Sequence, residues 1–329
     1  MAQYETLEGG GTGAHGSVSP TVSVIMPAHN AAKWVGRAVE SIVRQTLQEW
    51  ELIVVDDGST DDTQRILGDL AQKDRRIRVI TQPKSGVIRS LNRAVSLAVG
   101  EFVARMDADD ESRPERLARQ LSFLRANPAC GIVGTWSSIY VDDRVTERGH
   151  SHPTTNGRAK WALLFDSVFV HSSVMIRRAV FEDCGVYPAS FPTPSPEDFD
   201  LWSRVARRWN IANLPDRLLI YRETSNSVCR TADWNEFSAI ANEISAENLA
   251  VWGGRATGDP TCKYVASLAR GDRRLLTVDK SLREALLLLI QVWIKMAGSE
   301  GFERGLAVDG LATIMTVVGR HIRSRWETE

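Results

Sequence analysis

Residues 101–111 read EFVARMDADDE. Glu101 to Met106 is a short run of strand character that passes straight into Asp107-Ala108-Asp109-Asp110. In extended backbone, residues i and i+2 point to the same side, so Asp107 and Asp109 can face one site. Two carboxylates so placed suit Mg²⁺ or Mn²⁺, which take hard oxygen ligands and share them with substrate phosphates. The pair has a plainer reading too. Asp110 and Glu111 sit beside a helix start, where acids favour the macrodipole.

The neighbouring chain shows where the pair stands. Upstream, Thr21 to Met26 is a β-branched, apolar stretch that predicts a buried strand stopping at Pro27. Asn30 is placed to cap a helix over residues 31–46, with Trp34, Val35, Ala38, Val39, Ile42 and Val43 on one stripe. Glu51 to Val55 predicts a second strand, ending at Asp56-Asp57-Gly58-Ser59, with Thr60 or Asp61 capping a helix to about Lys73. Ile77 to Thr81 reads as a third strand, and a helix over Ile88 to Ala98 stops at Gly100. A helix from Pro114 to Asn127 follows the acidic pair. This alternation predicts an α/β fold, a Rossmann-like, mostly parallel sheet flanked by helices. Ligands of such sheets bind beyond the carboxyl ends of the strands, where Asp56, Asp57, Asp107 and Asp109 all fall.

After residue 130 the pattern changes. Gly131 to Val141 and Arg144 to His150 read as paired strands, Trp161 to Asp166 as helix and His171 to Arg177 as strand. Glu197 to Arg208 is an amphipathic helix and Leu218 to Arg222 a last strand. Beyond Ser225 the chain is mainly helical, clearest at Leu282–Met296 and Leu306–Arg325. Residues 1–19, rich in glycine, read as a disordered tail.

Composition excludes some classes. The hydrophobic share is 43% and the charged share 25%, values of a globular protein, and the net charge of −1 provides no basic field for nucleic acid. The four cysteines, Cys130, Cys184, Cys229 and Cys262, form no C-x-x-C pair and read as reduced thiols. The longest apolar run, Ala285 to Ile294, is broken by Gln291 and falls short of the roughly 18 residues of a membrane span. With no signal-peptide pattern, the expected place is the cytoplasm, with peripheral contact on the inner membrane face as an option.

Three further clusters bear on chemistry. Pro27-Ala28-His29-Asn30 lacks the G-x-G-x-x-G of a dinucleotide site, but the His29 ring can stack on a nucleobase or be a half-buried surface histidine. The Asp57 carboxylate can accept from a base N–H or ribose hydroxyls, or belong to an Asx turn. Glu197 and Asp198 fall in the first turn of a helix, a normal place for acids, or provide a general base. His171 can line an acceptor site or be structural. Arg177 and Arg178 can meet phosphate or be solvated charge, and Trp34, Trp161 and Trp202 read as core.

Together, VSVIMPAHNAAKWVGRAVESIVRQT, ELIVVDDGSTDDT, LNRAVSLAVGEFVARMDADDESRPERLARQ, HSSVMIRR and PEDFDLW resemble glycosyltransferase family 2 proteins of GT-A fold, in the family's order over residues 21–222. The resemblance implies an inverting transfer from a nucleotide-diphosphate sugar, with Mg²⁺ or Mn²⁺, to a carbohydrate or lipid-linked sugar acceptor in polysaccharide or glycoconjugate biosynthesis. It implies that Pro27, His29 and Asp57 line the nucleobase pocket and that Asp107 lies near the ribose and diphosphate. Asp109 is then the principal metal ligand and Asp198 the base. Glu197, His171 and Arg89 are further candidates for acceptor or phosphate contact. Many members carry tyrosine where His29 stands, which bears on base preference. The implied division is a catalytic domain over 20–224 and a helical region over 225–329. The latter can dock on the domain, self-associate or lie on a membrane. Two rivals are a sugar-phosphate nucleotidylyltransferase, whose glycine-rich loop Pro27–Trp34 does not supply, and a non-catalytic nucleotide-sugar-binding protein.

Overall fold

The computed structural model describes residues 19–141, 143–192, 194–224, 234–272, 281–300 and 304–326. The expected tail, Cys229 and the Arg325 side chain lie outside the described residues, apart from Ser19. Nine strands form one sheet: β1 Val22–Ala28, β2 Trp50–Asp57, β3 Ile77–Gln82, β4 Phe102–Arg105, β5 Glu111–Ser112, β6 Cys130–Val141, β7 Arg144–His150, β8 Met175–Arg177 and β9 Asn210–Glu223. The order is β3-β2-β1-β4-β8-β6-β9-β5, with β7 on β6. The first four strands pair in parallel, while β8 runs antiparallel to both β4 and β6.

Strand alternation sorts side chains onto two faces. Val22, Val24, Met26, Leu52, Val54, Phe102 and Ala104 pack under α1 (Val35–Val43), α2 (Thr63–Lys73) and α4 (Arg116–Ala126). Ile25, Ile53, Val55 and Val103 pack on the other face under α3 (Val87–Leu97), α6 (Arg178–Cys184) and α7 (Glu197–Ala206). Because both faces are covered, these strands are continuously apolar, which is why they were legible.

Several local readings shift. β1 runs through Pro27 to Ala28. Met106 N donates to Ile25 O on the β4 side, and β4 pairs only as far as Ile25. The missing N–H of Pro27 therefore faces the side its neighbour has left, and no ladder bond is lost. Asn30 does not cap α1. It has φ +49°, and its Oδ1 accepts from Thr60 N at 2.8 Å, tying two rim loops together. β9 is far longer than Leu218–Arg222, because it passes Pro215 with a register shift against β6 instead of stopping there. His171–Ser173 is a 3₁₀ turn before β8, and the helix near Trp161 is α5, Asn156–Ala162. Arg177 is not solvated charge: it stacks on Phe102 and donates to Cys130 O at 2.9 Å.

Four more helices follow: α8 Trp234–Gly253, α9 Pro260–Arg270, α10 Leu282–Glu300 and α11 Arg304–Trp326. Ala241 and Ile244 of α8 join the core under α7. A third core gathers Trp161, Leu164, Leu249, Val265, Leu288, Val292 and Leu306, so these helices dock on the α/β body through α5 and α8. No helix among the described residues is long and apolar enough to cross a membrane.

Candidate active site

The strand order reverses at β1, which has β2 on one side and β4 on the other. The crevice at such a switch point, beyond the carboxyl ends of the strands, is where open α/β sheets bind ligands. Pro27 and His29 leave β1 there, Asp56 and Asp57 end β2, and Asp107 follows β4.

The β1 and β2 rims are locked together. His29 Nδ1 lies 2.9 Å from Asp57 O, which fixes the imidazole plane. Asp56, not Asp57, closes the turn after β2: its Oδ1 accepts from Ser59 Oγ at 2.5 Å and from Ser59 N at 3.3 Å, three residues on. Gly58 has φ +68°, and a Cβ there would meet Lys84 N at 2.8 Å, so only glycine fits. The Asp57 carboxylate holds the β3–α3 loop. Its Oδ1 accepts from Gln82 Nε2, Ser85 N and Ser85 Oγ, and its Oδ2 from Gly86 N at 2.8 Å. Burial opposes ionisation, but these four donors outweigh it and hold Asp57 below the usual carboxylate range. Arg89 stands exposed in the first turn of α3.

At the β4 end, carboxylate oxygens of Asp107, Asp109 and Asp110 lie within 4.8 Å of one another. Asp110 was not singled out in the sequence, where it looked like a helix-start acid. β5 follows the loop at once and pairs with β9, which swings Asp110 inward. Its Oδ1 accepts from Arg222 N at 2.9 Å and its Oδ2 from Ser172 Oγ. Burial, then the neighbouring carboxylate charge, pushes Asp109 up to about 6 and Asp110 well above the ordinary range. Three oxygen ligands crowded against their own repulsion are a donor set that fits a hard divalent cation.

Two buried arginines, neither predicted, hold this loop. Arg105 pairs with Asp107, and its side chain is 5% exposed. Its charge also acts on Asp109, Tyr187, Glu197, Asp198 and His171. Arg222 of β9 has a fully buried side chain over the Trp34 ring. Its Nε donates to Asp109 O at 3.0 Å, and its two terminal nitrogens reach Asp143 at 2.6 Å and Glu111 at 2.5 Å. Trp34 is therefore core, as read, but also the platform for this cation. Arg222→Met should lower stability by about 2 kcal/mol, below the range for fully buried pairs because Asp143 is half exposed. Denaturant unfolding measures that loss, and calorimetric Mn²⁺ titration should show weaker binding through the released Asp109 carbonyl.

Glu197 and Asp198 open α7 opposite the loop, each with a mostly buried side chain. Asp198 Oδ2 accepts from Ser167 Oγ at 2.9 Å, and its Oδ1 accepts from Phe199 N. Burial raises Asp198, though these two bonds oppose the rise. Burial and then the Asp198 charge push Glu197 up to about 8, so the pair holds a proton above the ordinary carboxylate range. Beside them, His171 Nε2 lies 3.0 Å from Tyr187 Oη, its Nδ1 is 3.8 Å from Glu197, and Trp202 packs against its ring. Burial and Arg105 hold the imidazole neutral. The turn bearing His171 is pinned by α4: Arg116 donates to Ser172 O and Gln120 to Ser173 O.

The raised acids give a pH signature. A carboxyl group with a raised folded-state pKa stabilises the fold below its unfolded value and loses that contribution as pH rises through the folded one. The buried His171 and His152 act oppositely, but only below about 6.5, the ordinary histidine value. Metal-free protein should therefore melt at a falling temperature between roughly pH 6.5 and 8.5. Glu197→Gln should flatten that slope in a thermal-shift titration.

The family model for Glycosyl transferase family 2 matches residues 23–185. The chain is 31% identical over 244 residues to an uncharacterized glycosyltransferase of Haemophilus influenzae, covering 71% of this chain and 74% of that one. It is 30% identical over 217 residues to the O-antigen biosynthesis glycosyltransferase WbnJ of Escherichia coli, covering 64% and 83%. Among solved structures, S. aureus TarS 1–349 in complex with UDP-GlcNAc superposes with a TM-score of 0.60 at 17% identity, over 93% and 92% of the chains. The mannosyltransferase PcManGT from Pyrobaculum calidifontis, in complex with GDP-Man and Mn²⁺, superposes at 0.55 and 18%, over 95% and 89%. At these identities the two structures show a shared fold.

Proposed function

The chain belongs to glycosyltransferase family 2, and from that premise we propose that it moves a sugar from a nucleoside-diphosphate donor to an acceptor hydroxyl with inversion, dependent on Mg²⁺ or Mn²⁺. One observation carries this reading: the acidic triad and the Glu197–Asp198 pair both lie within the field of the single buried Arg105.

Pro27, His29 and Asp57 would bound the nucleobase and ribose. Asp57 suits a bounding role, since most of its lone pairs already hold the Ser85–Gly86 loop. Asp109 would hold the cation, with Asp107 beside the ribose and diphosphate. A divalent ion bound there supplies positive charge for the departing diphosphate. Arg105 keeps the loop compact while the acids are unscreened, and Arg89, exposed in the first turn of α3, would be a candidate for phosphate contact.

Asp198 takes the proton of the attacking hydroxyl. Burial makes it more basic than a solvated aspartate, and its hydrogen bonds fix its orientation. With the pair's proton on Glu197, Asp198 would be the ionised member. His171 would face an acceptor sugar, with the buried Tyr187 hydroxyl behind it fixing the imidazole. A carbohydrate or lipid-linked sugar suits this wall, and the O-antigen biosynthesis relative supports a glycoconjugate product.

The test is incubation with a panel of nucleotide sugars, Mn²⁺ or Mg²⁺ and simple sugar acceptors. Metal-dependent release of nucleoside diphosphate supports the proposal. Pyrophosphate release would make the protein a nucleotidylyltransferase, and binding of a sugar donor without turnover of any member would make it a binding protein.

A further inference from the structure

The helices beyond residue 225 reach toward Asp198. Arg270 ends α9, and its side chain is only 14% exposed. One terminal nitrogen donates to Phe165 O and lies 3.7 Å from Asp166 Oδ1. The guanidinium also stands 5.9 Å from the centre of the Phe199 ring. These partners flank the two donors that hold Asp198. Asp166 Oδ1 accepts from Ser167 N at 2.9 Å, and Ser167 Oγ donates to Asp198 Oδ2. Phe199 N donates to Asp198 Oδ1. Helix α8 braces the same segment. Ser245 Oγ donates to Phe165 O at 3.3 Å, and Asn248 Nδ2 donates to Leu163 O and to Ser203 Oγ of α7.

Arg270 is not needed to fasten α9. Cys262, Val265 and Leu268 already bury that helix in the third core. A buried guanidinium is unfavourable unless it is well paired. Here burial holds Arg270 below the usual arginine value, although the Asp166 charge opposes the shift. Its contacts are directional instead. They fix a carbonyl, a carboxylate and a ring on both sides of one acid, and reacting groups work within narrow limits of position. We propose that Arg270 is a positioning residue: by holding residues 165–167 against the first turn of α7, it aims the Asp198 carboxylate at the acceptor hydroxyl. This role rests on Asp198 being the base of the transfer. It gives the helical region, which lies beyond the residues 23–185 matched by the family model, a part in the reaction.

The test is release of nucleoside diphosphate by Arg270→Met, alone and combined with Asp198→Asn. Alone, the substitution should lower kcat ~10- to 100-fold, the scale of a small misplacement. Donor KM should not change, since the partners of Arg270 lie on the α7 side of the cleft. Combined with Asp198→Asn it should cost nothing further, because the group it aims is gone. Arg270→Lys, which keeps a cation and a donor for Phe165 O, should restore most of the turnover. Should Arg270→Met not fold, Ser245→Ala removes the second donor to Phe165 O and should show the same pattern at ~3-fold, the scale of one long hydrogen bond. Hydrogen exchange over residues 163–167 and 197–201 reads the contacts without turnover, and Arg270→Met should quicken it in both segments. Unchanged kcat, an equal further loss in the Asp198→Asn background, or unchanged exchange would each overturn the proposal. A wild type that releases no nucleoside diphosphate fails the transfer reading itself, and is told apart because exchange would still quicken.

Discussion

Asp109→Asn is expected to abolish the metal-dependent thermal shift given by a nucleotide sugar and to lower turnover ~1000-fold, the scale of several kcal/mol of lost charge stabilisation. The same substitution should raise the melting temperature of the metal-free protein at neutral pH. Asp109 is half-buried beside Asp107 and Asp110, and its carboxyl is pushed up to about 6 by burial and by the charge of Asp107. A neutral amide of the same shape removes that repulsion. Stability and activity then move in opposite directions, the mark of a residue kept for chemistry at the expense of the fold. A variant that still shows the metal-dependent shift would move the cation to Asp107 and Asp110. A fall in metal-free stability would mean that the cluster is structural.

The second large effect falls on the other side of the cleft. Asp198→Asn should keep donor affinity and lose ~100- to 10,000-fold in transfer, the span of general acid–base catalysis. The fold should tolerate it. An amide oxygen still accepts from Phe199 N, and the amide nitrogen can donate to the Ser167 hydroxyl, so both contacts of Asp198 survive. What disappears is the proton acceptor. Donor titration by calorimetry and release of nucleoside diphosphate separate the two parameters. Wild-type release by Asp198→Asn would remove Asp198 as the base and turn attention to Glu197, the nearer neighbour of His171. Glu197→Gln should cost less and act mainly on the basic limb of the pH profile, since Glu197 titrates at about 8.

The legible parts of this protein are those whose signal is local. β1, β2 and β4 are apolar because both sheet faces are covered, and the carboxyl ends of β2 and β4 are marked by acids. Asp57, Asp107 and Asp109 could be picked out by position relative to those ends, and Asp198 by its motif in the first turn of a helix. Boundaries were less legible where one residue type carries two meanings. Pro27 read as a strand stop, but it sits where the ladder on that side is interrupted, a fact of the neighbouring strand. Asn30 read as a cap because asparagine caps helices; it also tolerates the left-handed region, which is where it stands.

β4 ends at Arg105, so a turn at Ala108–Asp109 rather than extended backbone brings Asp107 and Asp109 to one site. The sequence by itself determined the family, the fold class and the rim on which the acids lie. These follow from periodicity and from motifs in fixed order. Only the tertiary structure decided what surrounds them. Arg105 and Arg222 are ordinary strand arginines in sequence, and nothing local says that their charges are buried. Arg222 reaches Asp109 across 113 positions, and Asp110 becomes a third acid only because β5 pairs with β9. The reason is physical. Burial and counter-charge are set by which distant segments close over a group, and they determine how readily each carboxylate gives up its proton.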